Sequence, residues 1–163
     1  MSPTAVAADP RIVLDVALSA EDADRIDETG ETMAMSTDRL IAFAADDAAR
    51  RIDHALEADL IRRISARAAA MPAREHPAID RRIAFSPDIM ARISRACGHL
   101  AIAPETFVRA AALVISEELM GRMTAENARD YWARLQDEVE ILCSTGRGND
   151  NIGAYADYFA DRA

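Results

Sequence analysis

The strongest constraint on this chain is that one pattern of residues occurs in it twice, without a gap, at an offset of 67. Residues 18–52 superpose on residues 85–119 in a single frame. Leu18 falls on Phe85, Ser19 on Ser86, Glu21 on Asp88, Arg25 on Arg92 and Ile26 on Ile93. Further along, Met33 falls on Leu100, Asp38 on Glu105, Leu40 on Phe107, Ala44 on Ala111 and Ile52 on Leu119. Few of these pairs are identical. Apolar class, capping residue and helix break coincide, and one frame satisfies all three, which marks a repeated structural unit.

Each copy opens on an alternating run. In the first, Ile12, Leu14, Val16 and Leu18 share one face, with Arg11, Val13, Asp15 and Ala17 on the other. That period of two predicts a strand. In the second copy Ile83 and Phe85 alternate with Arg82 and Ala84. Ser19 and Ser86 then read as helix N-caps with acids in the first turn, and Pro87 suits the first helical position. The first helix of each copy is expected to weaken at Gly30 and to end at Gly98. A second helix opens at Ser36–Thr37 in one copy and near Pro104 in the other, where Gly121 ends the run. Residues 53–70 either continue the first copy's helix or break from it near His54, and the prolines of 71–77 stop it. The chain thus divides into a flexible arm (1–10), copy 1 (11–52), a helical linker (53–78), copy 2 (79–121) and a helical C-terminal extension (122–163).

A single such unit leaves a strand without a partner and two helices half covered. The expected solution is antiparallel pairing of 12–18 with 80–85 inside one chain. The rival is pairing of each unit with its counterpart in a second chain. Strand, helix, short break and helix, with "FSPDIMARI" and "GHLAIAPETFVRAAALVISEEL" in copy 2, resembles the ribbon-helix-helix family. The resemblance covers about half the chain and is weaker over copy 1. It implies a mainly α fold: a tandem ribbon-helix-helix pseudo-dimer with a two-stranded antiparallel β-ribbon and a C-terminal helical extension.

The resemblance also implies a function. In that family the outward face of the ribbon enters the major groove of double-stranded DNA, and the second helix holds phosphate at its N-terminus. By position, Arg11, Arg82 and Ala84 fall on that face, with Arg81 able to swing out. Ser36, Thr37 and Thr106 fall at the helix N-termini. Asp15 and Asp80 on the same face, and Asp38 and Glu105 beside the phosphate positions, depart from the usual basic and amide residues. The family includes transcription regulators, antitoxins and plasmid accessory proteins. The expected roles are therefore DNA binding in transcription regulation or plasmid processing, or else an antitoxin-like module that engages a toxin or relaxase. Trp132, Tyr155 and Phe159 in the extension, or the acidic first helix (Glu21 to Glu31), would make that protein contact.

Composition narrows the remaining classes. Half the residues are apolar and 5% are aromatic, which favours closely packed helices over an aromatic-rich sheet. The chain holds no Lys, and of its net charge of -9, -6 falls on residues 1–52 and -3 on 121–163. That balance is poor for bulk attraction to nucleic acid, but it does not forbid a local basic strip. Cys97 and Cys143 have no metal-ligand spacing and read as reduced thiols of a cytoplasmic protein. No run reaches the roughly 18 apolar residues of a membrane span. His54, His76 and His99 have no nucleophile or acid at a diagnostic spacing, so neither a catalytic site, a metal nor a cofactor is expected.

Overall fold

A computed structural model describes residues 10–72 and 78–122. Its order is β1 (Ile12–Leu18), α1 (Ala20–Met33), α2 (Thr37–Ala55), α3 (Ala58–Ala70), β2 (Ile79–Phe85), α4 (Pro87–Leu100) and α5 (Pro104–Arg122). The described residues are mainly helical, with one two-stranded sheet. Adding 67 to both bounds of β1, α1 and α2 gives the bounds of β2, α4 and α5. The strands pair antiparallel within the chain, from Ile12 opposite Phe85 to Leu18 opposite Ile79.

Local chemistry explains the boundaries. Ser19, Ser36 and Ser86 are N-caps whose hydroxyl oxygens accept from the amides of Asp22, Arg39 and Ile89 at 3.1, 3.3 and 3.4 Å. Each such cap is worth about 1 kcal/mol over alanine. The helix ends correct the glycine-based expectation. Gly30 and Gly98 both lie inside their helices, and the left-handed residues are Ala34 (φ 53°) and Ala101 (φ 54°). Gly30 serves another purpose, because a Cβ there would lie 2.8 Å from the Met35 carbonyl oxygen. The Met35 amide donates to the Gly30 carbonyl at 2.8 Å, closing the helix end. Within the linker Ala58–Ala70 form α3, which breaks from α2 at Leu56, whose φ is 45°.

The ribbon's inward face supplies Leu14, Val16, Leu18, Ile83 and Phe85 to the core. Burying each is worth roughly 1.5–3 kcal/mol, far more than any exposed ion pair on the other face. Ile12 and Ile79, the first residues of the strands, are exposed at 41% and 38%, so the apolar alternation overreaches by one residue at each end. Residues 107–116 of α5 are all buried, which is why that helix is apolar all round rather than on one stripe. It packs on α1, α2, α3, α4 and β1. Fully buried Ala44, Ala45, Ala48, Ala49, Ala110, Ala111 and Ala112 offer small side chains where α2 meets α5. Among the described residues no single helix is long and apolar enough to cross a membrane, although α4 and α5 together pass that test with a 91° bend between them.

Candidate nucleic-acid interface

The ribbon's outward face is set by alternation. With Leu14, Val16, Ile83 and Phe85 turned inward, Val13, Asp15, Asp80, Arg82 and Ala84 stand exposed, and Ala17 is half-buried. At the centre Asp15 lies opposite Arg82 in the register. The Arg82 Nε is 3.4 Å from Asp15 Oδ1, and the two side chains are 77% and 78% exposed. The face therefore presents an ion pair, Asp80 and small apolar residues. Arg11 is exposed just before β1.

Arg81 is placed differently. It lies opposite Val16, on the ribbon side that carries Ile83 and Phe85, and its Nη1 is 3.5 Å from Asp38 Oδ1. The reading that lets it swing out toward a ligand meets a side chain tied to the start of α2. At that helix start the Ser36 hydroxyl already accepts from the Arg39 amide, and the Thr37 hydroxyl donates to Asp27. At the start of α5, Pro104 has no amide hydrogen and Glu105 follows it. Thr106 is half-buried there. Both helix starts carry an acid that opposes an anion.

Three ion-pair groups between the repeats were not anticipated from the sequence. Arg92 donates to Asp46; the Asp46 side chain is fully buried and that of Arg92 is 7% exposed. Burial raises the Asp46 pKa, and the neighbouring Arg92 opposes the rise. The second Asp46 oxygen, Oδ2, has no hydrogen-bond partner among the described residues. Nearby, Arg95 binds Asp53 through Nε at 3.2 Å and Nη2 at 3.2 Å. The third group centres on Glu118, which meets Arg51 at 3.0 Å, Arg122 at 2.8 Å and Arg63 at 3.5 Å. Arg51 also donates to Glu57 at 2.7 Å. Although burial works against its charge, the bonds to Glu57 and Glu118 hold the guanidinium above its ordinary pKa. A signal for part of this was present: the offset of 67 sets Asp15 on Arg82 and Arg51 on Glu118, opposite charges at equivalent positions.

The corresponding seam between α1 and α5 is built otherwise. Leu113 and Met120 stand at the positions equivalent to Asp46 and Asp53. There a groove of about 230 Å³ lies between Arg25, Glu28 and Thr29 on one side and Leu113, Ser116 and Met120 on the other. Arg25, the counterpart of Arg92, turns to Glu21 at 2.6 Å. The Ser116 hydroxyl is buried in that seam without a hydrogen bond among the described residues.

Among the described residues no group of three or more His, Cys, Asp or Glu side chains is placed to hold a metal. Cys97 is buried while His99 is exposed, so they do not share a site. Burial pushes the Cys97 thiol up to about 11. Trp132, Tyr155 and Phe159, Cys143 and the helix expected at the C-terminus lie outside the described residues. No protein-family model matches the chain, and no curated protein and no solved structure was found similar to it.

Proposed function

We propose that the chain is a tandem ribbon-helix-helix pseudo-dimer that binds double-stranded DNA, as a transcription regulator or a plasmid accessory factor. The observation carrying this reading is the ribbon: one face buried on helices, the other free, with Arg82 at its centre. A two-stranded ribbon fits the major groove, and an arginine there is the commonest reader of guanine. Arg82 reaches a base by exchanging Asp15 for the guanine edge, and Arg11 adds a phosphate contact from the strand's start. Few cations take part, so affinity depends on salt only shallowly.

A second reading has its own observation. Asp15 cancels Arg82, and exposed Val13 and Ala84 flank the pair. Such a face suits a protein partner, as in an antitoxin-like module that binds a toxin or relaxase. Fluorescence anisotropy with duplexes from upstream of the gene separates the two. DNA binding predicts that Arg82→Ala weakens the complex and that Asp15→Asn tightens it. No binding by wild type or Asp15→Asn at low salt would leave only the protein partner.

A further inference from the structure

Two charged pairs join residues that are 67 apart, the repeat offset itself. Asp15 lies opposite Arg82 in the ribbon. Arg51 on α2 meets Glu118 on α5 at 3.0 Å (Nη1 to Oε1) and 3.3 Å (Nη2 to Oε2). If the two halves are equivalent, these are the positions at which each half meets its own counterpart. A pairing of two first halves would then set Asp15 against Asp15 and Arg51 against Arg51. A pairing of two second halves would set Arg82 against Arg82 and Glu118 against Glu118. Like charges held directly opposite each other are destabilising, while opposite charges are mildly favourable.

A third pair acts in one direction. Asp46 and Arg92 are both buried, and the counterpart of Asp46 is Leu113. Two second halves would therefore place Arg92 against leucine, so that it gives up its Asp46 bond and turns outward as Arg25 does. Two first halves would place Asp46 against Arg25, so only the pairs at Asp15 and Arg51 reject that combination.

We propose that these charges are a pairing code: the ribbon and helix surface of each half is complementary to the other half and repels a copy of itself. The partner this surface fits is the opposite half of the same kind of chain. The code rests on the tandem reading above, because it needs equivalent halves. Its physical content is specificity by repulsion, in which the wrong pairing is made worse as well as the right one better. The small-residue stretch does not discriminate in this way, since Ala44 and Ala45 stand at positions equivalent to Ala111 and Ala112. Because the linker also favours closure within a chain, it has to be removed from the choice.

The test uses the full chain with a protease site inserted in residues 73–77. The connector is cut after folding, and the nicked protein is unfolded and refolded, so that fragments choose partners freely. Native mass spectrometry then counts mixed pairs, first-half pairs and second-half pairs. The expected result is mixed pairs, with same-half pairs suppressed at least about tenfold below their random share. Neutralising the four positions (Asp15→Asn, Arg51→Gln, Arg82→Gln, Glu118→Gln) should raise same-half pairs toward the random share. Should that variant not refold, the exposed pair alone (Asp15→Asn with Arg82→Gln) should give a smaller rise in the same direction. Same-half pairs prevailing in the wild type would overturn the proposal, and so would mixed pairs persisting undiminished in the neutralised chains. A control in the intact chain separates this from failure of the ribbon: Val13→Cys with Ala84→Cys, which lie opposite each other, should give an intrachain disulfide. If that disulfide forms while same-half pairs prevail after nicking, the code fails and the ribbon stands.

Discussion

Asp46 is fully buried, and Arg92 is the cation it bonds. Removing one member of such a pair costs more than removing both, because the survivor keeps its desolvation penalty. Asp46→Leu should therefore lower unfolding free energy by about 3–5 kcal/mol, and adding Arg92→Met should recover most of it. Chemical denaturation of the two variants measures the difference; an Asp46→Leu protein as stable as wild type would contradict it. Leu113, which already occupies the equivalent position, shows that the fold accepts leucine there when the arginine turns outward. Asp53 illustrates the opposite shift, with the hydrogen bond from Arg95 lowering its pKa against some desolvation. A lowered carboxyl pKa stabilises the fold above the ordinary value of 3.8. That contribution is lost as pH falls through the lowered pKa. The stability gap between wild type and Arg95→Gln should accordingly shrink in acid, as thermal melts across that range would record. Cys97, with its thiol pushed up to about 11, should resist alkylation in the native state and react once the chain unfolds.

At the scale of elements, the helix ends are the informative places. Ala34 and Ala101 occupy the left-handed conformation that glycine adopts without strain. Ala34→Gly and Ala101→Gly should each stabilise by about 0.5–1 kcal/mol, with additive shifts in melting temperature. Gly30→Ala should do the reverse, because its Cβ would collide with the Met35 carbonyl. A neutral Gly30→Ala would mean that α1 and the following turn relax freely. Helix existence and N-caps were legible in the sequence because they depend on spacing and on single hydroxyl groups. The C-terminal ends were not. Glycine reads as a stop signal, but α1 and α4 run past Gly30 and Gly98 to positions set by how each chain segment turns into the next helix.

For the molecule as a whole, neither half encloses its own core. α1 packs on α5 and α4 packs on α2, so each half is covered largely by the other. The described residues should unfold as one unit. Hydrogen exchange should give the innermost amides of α2 and α5 the same opening free energy. Clearly different values would show that the halves are separable. The ribbon forms only when residues 61 to 73 apart in the chain meet, so its closure should come late and depend on the helices.

The repeat, the elements it contains and the need of each strand for a partner are legible in the residues alone, because periodicity, caps and an unpaired edge are local properties. Which partner a strand takes stays open there between the other copy and a second chain, and the structure pairs the two strands within the chain. The tertiary structure alone decided which side chains the outward face leaves usable. Arg81 and Arg82 are adjacent in sequence, yet one is tied to Asp38 beneath the ribbon and the other is balanced by Asp15 above it. It also decided that charges scattered through the first half find counter-ions in the second, as Arg51 does in Glu118 and Asp46 in Arg92. Charge pairing between segments far apart in the chain depends on register and packing, and neither is fixed until the two halves have closed on each other.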